Sequence, residues 1–381
     1  MTNFDLAIIG LGAVGSAALV AGARAGARVI GIDRFTPPHR HGSTHGETRI
    51  VRAAIGEGVA YTPFALRSFA LWDQLSRETD ALLVNRCGLL VLGGVLPHAT
   101  HVSAGFLETT IAAARRFDIA HELIDADAVR SRFPAFTAFR QREAYFEPGA
   151  GFAIPENVVA TQIKVARKHG AEVQFNCRVE SIGDAQGQFE IATAQGRIRA
   201  RKVIACAGAW MKDFLPPAWR AHLTVTRQTL HWYATGAKAA DFAPARMPVF
   251  IWDDLYGFPE IAPGGGTKIA TELLSDVFDP DQPGRDVTED DVALATPKVR
   301  SHFPQVGPHL RGAVCLYTST PRFDFLVDAH PAMPGVTIVS ACSGHGFKHS
   351  AAIGESVALA ALDAPHLSIP DAWRARAALS T

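Results

Sequence analysis

The stretch Asp5-Leu-Ala-Ile-Ile-Gly10-Leu-Gly12-Ala-Val-Gly15 decides the fold of this chain, because an apolar run meets three glycines at the spacing G-x-G-x-x-G. Gly10 allows a tight turn from strand to helix, Gly12 lets the backbone approach a pyrophosphate, and Gly15 lets the helix pack close to the sheet. A second apolar run ends in Asp33, whose carboxylate can accept hydrogen bonds from ribose hydroxyls. The pattern predicts a βαβ unit that binds a dinucleotide at a helix N-terminus. The alternative is a glycine-rich turn that binds nothing.

The composition is that of a globular enzyme with two domains. The chain has 381 residues, of which 48% are hydrophobic and 19% are charged. Lysine plus arginine equals aspartate plus glutamate, so the net charge of zero gives no support for nucleic acid or a membrane surface as a partner. Five cysteines without a C-x-x-C pair predict neither a disulfide framework nor a metal site. We recognise no signal peptide and no membrane-spanning run, and expect a cytoplasmic protein.

The remaining pattern predicts an α/β fold in which a discontinuous nucleotide domain is interrupted by a second domain. Residues 202–208 form a buried strand that ends at Gly208, near the nucleotide, and Val336–Ser340 is followed by a glycine-rich turn and a helix over residues 350–362. Residues 216–312 are richer in proline and aromatic residues and indicate alternating strands. Further helices are predicted over residues 62–79, 106–117, 125–133 and 155–169. The nucleotide domain is assigned to residues 1–85, 150–215 and 313–381, and the substrate domain to residues 86–149 and 216–312.

Three further motifs resemble those of one family. They are GSTHGETRIVR at residues 42–52, RGAVCLYT at residues 311–318 and SGHGFK at residues 343–348. The chain resembles, over essentially its whole length, the monomeric sarcosine oxidase and N-methyl-tryptophan oxidase family of flavoenzymes. The resemblance implies a Rossmann-like FAD-binding domain and a substrate domain built on a mixed, largely antiparallel sheet. It also implies that FAD is bound covalently through the sulfur of Cys315, which would otherwise be a small buried residue.

The resemblance assigns roles that suit the chemistry of the residues. Arg52 and Lys348 are expected to bind the substrate carboxylate, since a guanidinium matches a carboxylate with two hydrogen bonds. Arg49 and His45 are expected beside the flavin ring, and Lys268 near it, where a cation stabilises the charge that oxygen acquires. The expected catalytic residues are thus Lys268, Arg49 and His45, and the expected substrate-binding residues are Arg52, Lys348, Tyr256, Glu272, Tyr317 and His345. With the glycine motif, the expected cofactor-binding residues are Gly10, Gly12, Gly15, Asp33, Ser43, Thr44, Arg49, Val179, Gly208, Trp210, Cys315, Gly344, Gly346 and Lys348.

Three of these assignments have alternatives. Arg49 and Arg52 stand three residues apart and would share a face of a helix or tight turn, where an isolated pair is usually solvated. Glu272 stands where sarcosine oxidases carry a histidine, so the pocket is expected to favour a substrate with a cationic or hydrogen-bond-donating side chain. Alternatively, Glu272 pairs with a structural arginine, for example Arg227 or Arg322.

A second departure lies close by. Leu255 stands where the family has a tyrosine, although Tyr256 beside it is retained. The pocket is therefore expected to be shaped differently at one wall, and sarcosine itself is not assigned as the substrate.

The expected activity is oxidation of a secondary α-amino acid, either N-methylated or cyclic. The product is an imine, which water converts into formaldehyde and a primary amine or into a ring-opened product, and oxygen is reduced to hydrogen peroxide. Two alternatives stay open: an FAD-dependent amino-acid or hydroxy-acid dehydrogenase with another electron acceptor, and a flavin-binding protein without turnover. The expected partners are the amino acid and O2 only, and a monomer is expected from the resemblance.

Overall fold

The computed structural model describes residues 3–93, 105–141, 143–185 and 187–380. In these residues the strands are, in chain order, β1 (Asn3–Ile9), β2 (Val29–Ile32), β3 (Arg49–Val51), β4 (Val84–Asn85), β5 (Leu89–Leu92), β6 (Glu122–Ile124), β7 (Ala144–Glu147), β8 (Gly151–Ala153), β9 (Glu172–Gln174), β10 (Val179–Asp184), β11 (Phe189–Thr193), β12 (Gly196–Ala205), β13 (Thr224–Tyr233), β14 (Val249–Trp252), β15 (Leu255–Phe258), β16 (Thr267–Thr271), β17 (His309–Ser319), β18 (Leu326–Ala329) and β19 (Val336–Ser340). The helices are α1 (Ala13–Arg24), α2 (Thr62–Thr79), α3 (Phe106–Arg116), α4 (Ala126–Arg132), α5 (Pro155–Lys168), α6 (Pro217–Arg220), α7 (Ala239–Phe242), α8 (Glu289–His302), α9 (Ser350–Ala361) and α10 (Ala375–Ala378).

The first sheet contains the predicted βαβ unit. Its parallel strands lie in the order β9-β2-β1-β12-β19, and β10 and β11 extend it as an antiparallel ribbon on β12. The strand interiors are buried, as expected of parallel strands covered on both faces. Helices α1, α5 and α9 pack beside one another, with apolar side chains from all three in one core cluster. The Rossmann-like arrangement is therefore confirmed.

The second sheet is mixed and largely antiparallel, as predicted. Its order is β17-β13-β16-β15-β14-β5-β7-β6, and only the β14–β5 pair among these described strands is parallel. A small third sheet has the order β3-β8-β4, and its three strands all come after the first βαβ unit in the chain. β17 belongs to the second sheet along its whole length, across the predicted domain boundary at residue 313. The division into domains stays a prediction.

Helices contradict the prediction of alternating strands for residues 216–312. The strands there are interrupted by α6 and α7, of four residues each, and by α8, a helix of 14 residues. The Thr288 side chain accepts a hydrogen bond from the backbone of Asp291, and the Asp291 carboxylate accepts one from the backbone of Thr288, which forms a capping box. The first turn is acidic, as the helix dipole favours, whereas Pro297 interrupts the pattern inside the helix. The cap is the sequence signal that the prediction overlooked.

No helix among the described residues is long and apolar enough to cross a bilayer. No group of three or more histidine, cysteine, aspartate or glutamate side chains among them could hold a metal ion.

Candidate active site

A large cavity runs between the two main sheets. It encloses about 2110 Å³ of unfilled space, part of it open to solvent. Its wall includes the residues that directly follow β1, β2, β12 and β19, that is, the carboxyl ends of the parallel strands. Nucleotides bind at this edge of open α/β sheets. The opposite wall comes from β14, β15 and β17 of the second sheet.

The three glycines of the opening motif differ in whether the surrounding protein would leave space for a side chain. A Cβ atom on Gly10 would lie 2.5 Å from the carbonyl oxygen of Cys206, and one on Gly15 would lie 1.8 Å from the carbonyl oxygen of Gly10. A Cβ atom on Gly12 would meet, among the described residues, just the Thr44 hydroxyl at 3.5 Å. Protein packing thus requires glycine at the first and third positions. At Gly12, which lines the cavity, the space suits a bound phosphate group.

Asp33 is buried in the cavity wall, and the backbone fixes its carboxylate. One oxygen accepts a hydrogen bond from the N–H of Leu11 at 2.7 Å, and the other accepts one from the N–H of Phe35 at 2.8 Å. Each carboxylate oxygen has a further lone pair. The carboxylate thus lies directly after β2 with acceptor capacity left, and its predicted role in binding a ribose stays a prediction.

Cys315 and Arg49 meet in the wall of the same cavity. The Arg49 guanidinium lies 3.1 Å from the Cys315 sulfur and also donates to the carbonyl oxygens of Ser43 and Thr48 at 2.7 and 2.9 Å. Burial raises the pKa of the Cys315 thiol, whereas Arg49 lowers it. Arg49 is the first residue of strand β3, so the expectation that Arg49 and Arg52 share a face of a helix or tight turn is wrong. Both nevertheless line the cavity.

An acidic residue that the sequence analysis did not identify, Glu57, lies between the two cations predicted to bind a carboxylate. The Arg52 guanidinium is paired with the Glu57 carboxylate and donates to the carbonyl oxygen of Ala54 at 2.9 Å. The Lys348 ammonium donates to the other Glu57 oxygen at 2.9 Å and to the carbonyl oxygen of His345 at 2.8 Å. These side chains are almost fully buried. A substrate carboxylate must therefore compete with an internal one.

We expect binding of a carboxylate ligand to weaken as the pH rises through 8. Burial lowers the pKa of Lys348 to about 8, although Glu57 opposes the shift. A bound carboxylate favours the charged lysine and raises its pKa, so binding takes up a proton between the two pKa values. The dissociation constant of propionate, read from the flavin absorption spectrum, should rise by about tenfold per pH unit in that range. Lys348→Arg should flatten the profile, and a flat profile in the unmodified protein would contradict this account.

Lys268 and His45 lie behind the cavity wall. The Lys268 ammonium donates to the carbonyl oxygens of Gly46 and Thr48, both at 2.8 Å, and lies 4.0 Å from the ring of Phe258, which lines the cavity. Burial, assisted by Arg49, lowers the pKa of Lys268 well below its usual range. Burial lowers the pKa of His45 to about 3, so its ring is neutral. The catalytic roles of both residues stay predictions.

Tyr256, Tyr317 and Glu272 form part of the wall contributed by the second sheet. The hydroxyl oxygens of Tyr256 and Tyr317 lie 3.4 Å apart, and burial raises the pKa of Tyr256 to about 12. Glu272 lies beside Tyr317, and one of its carboxylate oxygens would be 3.2 Å from a Cβ atom on Gly344.

The two arginines proposed as alternative partners of Glu272 are paired elsewhere. Arg227 pairs with Asp291 and Asp276, and Arg322 pairs with Asp324. The alternative that a structural arginine holds Glu272 stays a prediction. Glu272 also lines the cavity.

Most predicted site residues come together in this cavity. Those that line it are Gly10, Gly12, Asp33, Ser43, Thr44, Arg49, Arg52, Val179, Gly208, Trp210, Tyr256, Glu272, Cys315, Tyr317, Gly344, His345, Gly346 and Lys348. Gly15, His45 and Lys268 are not part of the wall. Glu57 and Cys342 also line the cavity, but the sequence analysis did not identify them as site residues. Neither carries a motif of its own, and each can be recognised only from the groups that fold against it.

Comparison with known proteins decides the family. A family model described as "DAO: FAD dependent oxidoreductase" matches residues 5–360. The chain belongs to this family of FAD-dependent oxidoreductases. The N-methyl-L-tryptophan oxidase of Yersinia pestis (strain Pestoides F) is 36% identical over 371 residues, which cover 95% of this chain and 96% of the relative. The resemblance inferred from the motifs is thereby confirmed.

Solved structures of an amino acid oxidase and of a dehydrogenase confirm the fold. NikD, an unusual amino acid oxidase essential for nikkomycin biosynthesis, superposes with a TM-score of 0.81 at 20% identity, covering 97% of this chain and 96% of that one. The L-proline dehydrogenase from P. horikoshii superposes with a TM-score of 0.80 at 19% identity, covering 97% of this chain and 96% of that one. Because one neighbour is an oxidase and the other a dehydrogenase, the fold alone does not assign the electron acceptor.

Proposed function

We propose that the protein is an FAD-dependent oxidase of secondary α-amino acids, N-methylated or cyclic, with O2 as the electron acceptor and hydrogen peroxide as a product. The observation that carries the proposal is the pair of buried cations, Arg52 and Lys348, in the same cavity wall as the Cys315 thiol. The 36% identical relative from Yersinia pestis is an N-methyl-L-tryptophan oxidase, and its N-methylated substrate supports the same substrate class for this protein. The resemblance alone further leads us to propose a monomer, and the cytoplasmic location expected from the sequence stays a prediction.

The residues of this chain suit the proposed reaction. Arg52 and Lys348 bind the substrate carboxylate after it displaces Glu57 from at least one of them, and this orients the amine. The amine binds unprotonated, because its lone pair assists loss of the neighbouring C–H bond, and no side chain need then act as a base. FAD held in this cavity would supply the acceptor for the hydride equivalent and the electrons for the reduction of O2. Lys268 provides a cation for the negative charge that oxygen acquires.

We further propose that FAD is attached through Cys315. The thiol is buried in the cavity wall, which raises its pKa, and the neighbouring guanidinium of Arg49 opposes that rise and so favours the ionised, nucleophilic form. Yellow colour should therefore remain with acid-precipitated protein and should be released from the Cys315→Ala variant. Cys342→Ala is a matched control, since Cys342 lines the same cavity. If the colour stays with the precipitate in Cys315→Ala and is released in Cys342→Ala, the attachment point is Cys342 and not Cys315.

Substrate screening tests the activity itself. N-methyl amino acids, pipecolate and proline are mixed with the enzyme without oxygen, and bleaching of the flavin absorbance is followed. Active compounds are then assayed for peroxide in air. Bleaching by none of them would favour a binding protein without turnover.

A dehydrogenase is the second candidate, because Lys268 lies behind the cavity wall and is not part of it. Bleaching without peroxide release would favour this alternative. In that case the reduced enzyme should transfer its electrons to an added quinone faster than to oxygen.

A further inference from the structure

An unusual turn lies next to Lys268. The N–H of Thr48 donates to the carbonyl oxygen of Gly46 at 2.8 Å, two residues back, and Glu47 at the centre has a φ of 69°. A γ-turn with positive φ at its centre is rare and strained, and a non-glycine residue in this region is costly. Such strain persists only where the surrounding structure holds it in place, and it concentrates at functional sites.

Groups on both sides hold the turn. The carbonyl oxygens of Gly46 and Thr48 both accept hydrogen bonds from the Lys268 ammonium at 2.8 Å. The N–H groups of Gly46 and Glu47 both donate to one oxygen of Glu156, at 2.8 and 3.1 Å. The reversal of the chain at Glu47 is what lets the carbonyls on either side of it reach the same ammonium. A carboxylate thus binds the donors of the turn, and an ammonium binds its acceptors.

The side chain of Glu47 is clamped as well. Its carboxylate accepts hydrogen bonds from the indole N–H of Trp232 at 3.1 Å and from the Arg311 guanidinium at 2.9 Å. Arg311 lies 4.0 Å over the Trp232 ring, and Trp232 stands opposite Lys268 in the β13–β16 pairing. The clamp therefore comes from Trp232 on β13, the strand beside the lysine, and from Arg311 on β17, which stands opposite Trp232, and it keeps Glu47 in its strained conformation.

We propose that Glu47 is a positioning residue for Lys268. The clamped turn aims two carbonyl oxygens at the buried ammonium and fixes it behind Phe258 in the cavity wall. Burial of an ammonium without partners is unfavourable, so these contacts are what retain it there. The Glu47 and Glu156 carboxylates also oppose the lowering of the Lys268 pKa by burial. The inference rests on the proposed role of Lys268 in the reaction with oxygen.

The test separates the two halves of the catalytic cycle. The purified flavin-loaded enzyme is reduced with dithionite and mixed with O2, and in a second experiment it is reduced anaerobically by an N-methyl amino acid that bleaches the flavin. Glu47→Ala removes the clamp and should slow the oxygen reaction by about tenfold or more, because the turn relaxes. Reduction by the amino acid should stay within about twofold. Glu47→Gln retains an oxygen for Trp232 and should recover part of the lost rate. Trp232→Phe removes a single donor and should give a smaller loss than Glu47→Ala.

A measurement without turnover completes the test. Lys268 of the folded enzyme should react faster with an acylating reagent in Glu47→Ala than in the unmodified protein, as followed by mass spectrometry. Glu355→Gln, which disturbs an ion pair with Arg67 near the surface, is the control. It should change neither the rate of Lys268 acylation nor the rate of the oxygen reaction.

Three outcomes would overturn a specific part of this account. Unchanged oxygen reactivity and unchanged lysine labelling in Glu47→Ala would overturn the positioning role. An equal loss in both half-reactions would overturn it too, since that is the effect of a structural residue. If Lys268→Met itself leaves the oxygen reaction unchanged, the oxygen role of the lysine is wrong, and lysine labelling then tests the contact between turn and lysine separately.

Discussion

Replacing Gly12 with alanine is expected to abolish FAD binding and leave the chain folded. The added methyl group would point into the cavity, where its nearest described neighbour in the protein is the Thr44 hydroxyl at 3.5 Å. Packing within the protein is therefore barely disturbed, whereas the backbone can no longer come close to a pyrophosphate. A clash that costs about 3 kcal/mol weakens binding more than 100-fold. Flavin absorbance of the purified protein and thermal unfolding of the flavin-free protein measure the two effects separately.

Gly15→Ala is the matched comparison, because it changes the same motif for a different reason. Its Cβ atom would lie 1.8 Å from the carbonyl oxygen of Gly10, so the first turn of α1 would have to move away from β1. We expect this variant to lose stability, by about 1–3 kcal/mol or more, even without FAD. Full flavin content in Gly12→Ala, or equal destabilisation of the two variants, would contradict the assignment of Gly12 to the phosphates.

Sequence signals that are local were sufficient for most of the fold. The apolar run before Gly10 becomes β1, and the amphipathic pattern over residues 62–79 becomes helix α2, Thr62–Thr79. Periodicity within a few turns contains the necessary information in these cases. Helix α8 was missed because its pattern is broken by Pro297 and its strongest signal, the capping box, involves two residues only.

Relations between distant segments could not be obtained in this way. Glu57 is not part of any recognisable sequence motif. It is a site residue because it pairs with Lys348, which lies 291 positions further along the chain. Likewise, Lys268 is recognisable by resemblance, but its position behind the cavity wall depends on where Gly46 and Thr48 place their carbonyl oxygens. Burial and pairing across the fold decide which charged side chains a ligand can reach.

Arg52→Met and Glu57→Gln are expected to change carboxylate binding in opposite directions. Arg52→Met removes one of the two cations predicted to bind a carboxylate and keeps the Glu57 carboxylate on Lys348, so an incoming carboxylate loses one cation and still meets the competing anion. Loss of one member of a buried charge pair costs about 2–5 kcal/mol, which corresponds to a dissociation constant about 30-fold higher or more. Glu57→Gln removes the competitor and keeps both cations, and propionate should therefore bind more tightly. Titration of the flavin spectrum with propionate measures both constants.

The stability of the same variants provides an independent check on this competition. Glu57→Gln takes from two buried cations the carboxylate paired with both of them, while the carbonyl oxygens of Ala54 and His345 still accept their hydrogen bonds, and the protein without ligand should unfold at a lower temperature. Propionate should restore more of the unfolding temperature in this variant than in the unmodified protein, because the ligand supplies the missing carboxylate. Glu260→Gln changes another buried carboxylate, one bonded to Thr235, and should show no such recovery. If propionate stabilises Glu57→Gln no more than it stabilises Glu260→Gln, the internal carboxylate and the ligand do not share the site.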